Sequence, residues 1–140
     1  MRWATRPGCH VDRVACAWLI RRFIDPDATF VFVTDPADVP ADATAFDMRG
    51  VALGHHGDHC SFETMLNHFG LDDPALWEIG RLVHEADIGD DRFVEPSAAG
   101  LDEICRAVSY HLADDHRTIE QLSVVFDALY AARRGRLAGR

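Results

Sequence analysis

The stretch RVACAWLIRRFIDPDATFVFV, Arg13–Val33, decides the fold. Its first half is apolar almost all round from Ala17 to Ile20, as a centrally buried helix must be. Asp12 stands just ahead of it, placed to act as the N-cap that receives first-turn N–H groups. In DPDA, Pro26 removes a backbone donor and restricts the residue before it, so the helix stops there. TFVFV then combines β-branched and aromatic residues between turn formers, the pattern of a strand. Working outward, RWAT (Arg2–Thr5) precedes the helix as a short strand and ATAFDM (Ala43–Met48) follows as another. A helix crossing over from RWAT to TFVFV implies a small sheet with helices on one face.

From Ser61 onward the pattern is helical. SFETMLNHFG begins at or near a Ser61 cap and stops at Gly70. DDPALWEIGRLVHEADI has Pro74 just inside its start. EPSAAGLDEICRAVSYHL and DDHRTIEQLSVVFDALYAARR complete the set. The expected class is α+β, a small N-terminal β-sheet packed with a predominantly helical C-terminal bundle. No repeat or linker divides residues 1–140, so one domain is expected, long enough to bury a core without staples.

Composition narrows the chemistry. All 14 basic residues are arginine, which rules out a Schiff-base or P-loop lysine. A net charge of −9 argues against non-specific binding to nucleic acid or anionic membranes. Arg133, Arg134, Arg136 and Arg140 form a basic tail, expected to be solvated. MRWATRPGCH lacks the apolar core of a signal peptide, and VACAWLI is too short to span a bilayer. Cys9, Cys16, Cys60 and Cys105 show neither C-x-x-C spacing nor scaffold density, so free thiols and a cytosolic location are expected.

LGHHGDHCSFE, Leu53–Glu63, holds three histidines, an aspartate, a cysteine and a glutamate in eleven residues. Glu63 lies on the helix that follows; His59 shares its face if the helix starts early, and His55 or His56 can reach over from the glycine-flanked loop. In the next helix Leu76, Ile79, Gly80 and Val83 mark the inward stripe, and that stripe leads to Asp87, with His84 on the same face. An aspartate on an apolar stripe has to be paired, coordinated or at a helix end, and DIGDD has the look of such an end. Together these groups form a His/carboxylate set suited to zinc, iron or manganese. Neither H-E-x-x-H nor a finger-spaced Cys pair is present. The plainer alternative makes the histidines surface loop residues, Asp58 an Asx-turn former and Cys60 a small buried hydrophobe. A third reading takes Cys60 as a nucleophilic or redox thiol, its pKa lowered by a helix N-terminus and by His59. Cys16 and Cys105, on apolar faces, are core residues. On the last helix Asp114 or Asp115 is a natural N-cap, which leaves Asp115 room for a supporting role near the cluster.

VDRVACAWLIRRFIDPDATFVFV, GHHGDHCSFE, LVHEADI and DALYA resemble, in that order, the domain at the C-terminus of ChrB-type chromate resistance proteins, over about Trp3–Ala131. The resemblance implies a cytosolic bacterial domain linked to chromate or related oxidant stress. The family pattern H-x-G-D-R-C-T-F-E falls on His55, Gly57, Asp58, Cys60, Phe62 and Glu63, and V-H-D-I-D on Val83, His84 and Asp87. Its Asp-Arg pair falls on Asp12 and Arg13. His59 stands where the family often has arginine and His56 where it is frequently acidic. That leaves His55, Glu63, His84 and Asp87 as the expected ligands of a divalent transition metal, with Cys60 and Asp115 close by. Larger ChrB proteins carry an N-terminal region associated with regulation of resistance genes; it is not in this sequence, and direct DNA binding is not carried over.

The expectation is therefore a small metal-binding domain in chromate or oxidant response, whose open metal position serves a small anion such as chromate. Arg13 would orient a carboxylate or hold an oxyanion through its planar fork, or else pair with an acidic helix end. Two alternatives stand beside it: a non-catalytic metal or oxyanion sensor, and a chromate reductase using the Cys60 thiol.

Overall fold

A computed structural model describes residues 1–139, so Arg140 of the basic tail lies outside it. β1 (Arg2–Thr5) leads into α1 (Val11–Leu19), which continues as a π-helical turn over Ile20–Ile24. β2 (Thr29–Phe32) and β3 (Ala43–Ala45) follow, then α2 (Ser61–His68), α3 (Pro74–Asp87), α4 (Ala98–Leu112) and α5 (Asp115–Leu137). The three strands form a parallel sheet in the order β2-β1-β3, with Trp3 opposite Phe30 and Thr44. This is the expected α+β architecture, with α1 as the crossover from β1 to β2.

Val14–Ile20 is buried without a break, which explains why that run carries no polar face. α1 packs against α2, α3 and α5. At its centre, Trp18 stacks on Phe62 and lies against Phe126, while its indole N–H donates to Asp127 at 2.8 Å. Trp3, Phe30 and Phe46 bring the sheet into the same core. No helix among the described residues is long and apolar enough to cross a membrane.

The helix starts follow sequence chemistry with two exceptions. Asp73 accepts the Ala75 N–H ahead of Pro74, and Asp114 accepts the Arg117 N–H. At α2 the cap position is Cys60, not Ser61, and Glu63 reaches back to the Cys60 N–H at 3.0 Å. α1 begins one residue before Asp12, with His10 at the cap position and no side-chain cap. Asp12 is thus not the cap of its own helix. Its carboxylate instead takes up two buried N–H groups at the start of α2, those of Ser61 and Phe62, 49 and 50 residues away.

Strand order also places the candidate site. The chain leaves β1 toward β2 on one side and β3 adds on the other, so the order of the strands reverses between β1 and β3. In parallel sheets such a switch point opens a crevice where ligands bind.

Candidate functional site

Asp12 is the hub of the site. It is 3% exposed. Its Oδ2 receives the Ser61 N–H at 2.9 Å and its Oδ1 the Phe62 N–H at 3.0 Å. His55 Nε2 lies 3.0 Å from Asp12 Oδ2 and 3.1 Å from Asp87 Oδ2. One imidazole thus ties the Leu53–Glu63 loop to α1 and α3. The two carboxylates hold the His55 proton firmly, raising its pKa to about 10 through the bonds to Asp12 and then Asp87, against the opposing effect of burial.

Glu63 and His84 form a separate pair. His84 Nδ1 is 2.6 Å from Glu63 Oε1 and His84 Nε2 is 2.9 Å from Asp90 Oδ1. His84 is completely buried. Burial alone would lower its pKa, but the bonds to Glu63 and Asp90 outweigh that and raise it. The four expected ligands therefore do not converge on one point. His55 and Asp87 group with Asp12, whereas Glu63 and His84 group with Cys60, and His84 again with Glu85 and Asp90. The spacing of His84 and Asp87 put them on one helix face, yet each faces a different partner segment. Asp115 lies in none of these groups: it accepts the Gly8 and Cys9 N–H groups at 3.0 and 2.9 Å and braces the loop before α1. His56 and His59 pair through their backbones, and Asp58 meets Arg92 at 2.8 Å.

Cys60 is fully buried. Burial, reinforced by the charge of Asp12, pushes its thiol far above the ordinary range, opposite to the lowering expected from a helix start and His59. The Glu63 N–H at the start of α2 does pull the other way, but desolvation of so deeply buried a thiol outweighs it. All four cysteines are free and buried.

A cavity of about 410 Å³ opens beside His55, and Arg6, Arg13, Asp47, Arg49 and Ser61 share its lining. Arg6 follows β1 directly and Asp47 and Arg49 follow β3, so the strand ends supply most of the charge. Arg13 Nε lies 3.0 Å from Asp47 Oδ2, an ion pair without hydrogen-bond alignment, and the same guanidinium donates to the carbonyls of Gly8 and Asp47. Ser61 donates its hydroxyl to Asp47 Oδ1 at 2.7 Å. Burial, with Asp12 nearby, raises Asp47 to about 7 although Arg13 pulls the other way. Arg6 and Arg49 make no ion pair among the described residues. Sequence reasoning passed over Arg6, Asp47 and Arg49. Their signal was positional, since Arg6 follows β1 directly and Asp47 and Arg49 lie within the next four residues after β3.

The raised His55 pKa has a measurable consequence. A group protonated more readily in the folded state stabilises it below its unfolded value near 6.5, and that contribution fades as pH rises through about 10. Urea denaturation of the wild type should show stability falling between about pH 7 and 9. His55→Gln should flatten that decline, and an identical decline in both proteins would show that His55 is not its source.

No solved structure matches the chain. The chain is 43% identical over 130 residues to Protein ChrB of Cupriavidus metallidurans, an alignment covering 92% of this chain and 40% of that protein. It thus spans about two-fifths of its relative's length. The model of the ChrB C-terminal domain matches residues 3–133, a span that takes in every residue of the cavity and of both His/carboxylate groups, and the chain belongs to that family.

Proposed function

We propose that this domain contributes to chromate resistance by binding a tetrahedral oxyanion in the cavity between the ends of β1 and β3 and the start of α2. The observation that carries this reading is the pair of guanidiniums, Arg6 and Arg49, lining a concave site with no carboxylate of their own. Each offers paired N–H donors whose spacing suits two oxygens of one anion. Arg13 and His55 add positive charge, held in place by Asp47 on one side and by Asp12 and Asp87 on the other. Membership of the ChrB C-terminal family agrees with such a ligand. Four free thiols suit a reducing, cytosolic compartment. The role is one of binding, in a sensing or accessory module, because a buried protonated Cys60 is poorly prepared to reduce chromate.

A second reading, that the domain binds a metal, is favoured by Asp12, His55 and Asp87, which offer two carboxylate oxygens and one imidazole nitrogen within 4.8 Å of one another. That donor set suits divalent zinc, iron or manganese, which would take the place of the His55 proton and lend Lewis acidity toward the cavity.

One set of preparations tests both readings. Calorimetric titration with chromate at about pH 6 should give saturable binding, weakened about 10- to 100-fold in the Arg6→Ala/Arg49→Ala variant, since charge-assisted hydrogen bonds are the stronger class. Unchanged affinity in that variant would exclude the cavity. Elemental analysis should find about one transition metal per chain under the metal reading, lost in His55→Ala; metal-free wild type would exclude it.

A further inference from the structure

The cavity contains a carboxylate, which is out of place in a site for a fully ionised anion. Asp47 is nine-tenths buried at its side chain and lines the cavity beside the two free guanidiniums. Ser61 from α2 occupies one lone pair of Oδ1, and Arg13 from α1 lies against Oδ2. An ionised carboxylate has about four acceptor sites, so these two contacts leave capacity unused. His55 completes the wall, with Asp12 and Asp87 behind it.

An oxyanion held by Arg6 and Arg49 shares the cavity with Asp47. If every oxygen of that anion is deprotonated and Asp47 is ionised, two acceptors meet at a carboxylate nine-tenths buried, with no hydrogen between them. If one oxygen carries a proton, the same contact becomes a short charge-assisted hydrogen bond. The geometry points to Asp47 as a specificity residue that admits a tetrahedral oxyanion carrying a proton (hydrogenphosphate, hydrogenarsenate or hydrogenchromate) and rejects sulfate and molybdate. This rests on the oxyanion reading of the cavity and adds the chemistry that decides among anions.

The backbone makes the test clean. Asp47 has φ +47°, in the left-handed region that asparagine tolerates well, so Asp47→Asn keeps shape and backbone while replacing the acceptor by a donor. Asp47→Gly fits the same φ and removes the side chain altogether. The probes are sodium phosphate and sodium sulfate, titrated separately at about pH 8, where phosphate keeps one proton and sulfate none. The wild type should bind phosphate at least about tenfold more tightly than sulfate, the scale of one unsatisfied buried acceptor. Asp47→Asn should bring the ratio close to one by gaining sulfate affinity, and Asp47→Gly should also narrow it. A merely structural Asp47 would weaken both anions equally and leave the ratio unchanged, which overturns the proposal while sparing the cavity. Equal affinity for the two anions in the wild type does the same. Failure of the wild type to bind either anion removes the oxyanion reading and this one with it.

Discussion

Asp12→Ala should lower the unfolding free energy by about 3–5 kcal/mol, the scale of breaking a buried charged network. The Ser61 and Phe62 N–H groups at the start of α2 both end on this carboxylate inside the core. Each buried donor left without an acceptor costs about 1–3 kcal/mol. The loss also reaches His55, which keeps only Asp87 as a partner, so its pKa should drop from about 10 toward the ordinary value. Urea denaturation measures the first effect and an NMR titration of the His55 ring the second. A stability loss under about 1 kcal/mol would mean that water replaces the carboxylate at the α2 terminus, and the site would lose its hub.

His84→Ala should cost a similar amount, about 3–5 kcal/mol, for a different reason. The imidazole is enclosed, bonded on one side to Glu63 and on the other to Asp90. Alanine leaves Glu63 buried with only the Cys60 N–H and removes one tie between α3 and the Asp90 segment, which Glu85 still holds through the Asp91 and Phe93 N–H groups. Glu63→Ala/His84→Ala should therefore be less damaging than the sum of the single variants, because the second deletion removes the charge stranded by the first. Additive losses would show that the pair carries no coupling. It follows that metal lost from a His84→Ala sample would say little about ligation, since the substitution disturbs the fold itself. His55, half exposed at the cavity edge, is the better residue for that purpose.

How much was legible depended on the range of the interaction. Helix starts governed by the next few residues, such as Asp73 before Pro74 and Asp114 before Arg117, were readable because donor and acceptor are neighbours in the chain. The parallel pairing of β1 and β2 followed from one apolar helix lying between two strands. Asp12 misled because its type and position suit a local cap, while its true partners lie 49 and 50 residues on. The His55–Glu63 segment and the His84–Asp87 turn, singled out from sequence as a metal site, are places where buried polar groups meet the core. Their division into two groups depends on which way each loop side chain turns, and spacing along the chain carries no information about that. Arg6, Asp47 and Arg49 went unnoticed because isolated charged residues after short strands resemble ordinary solvated turns until the strand order is known.

The left-handed backbone at Asp47 limits how the cavity can be altered by mutation. Side chains that branch at Cβ, or are bulky there, are strained at that dihedral, so the viable replacements are few: asparagine, glycine and little else. Residue 47 can thus lose its charge in one step without being free to grow. A lineage drifting toward a different anion would be expected to change there by swapping an oxygen for a nitrogen, and to leave the shape of the recess as it is.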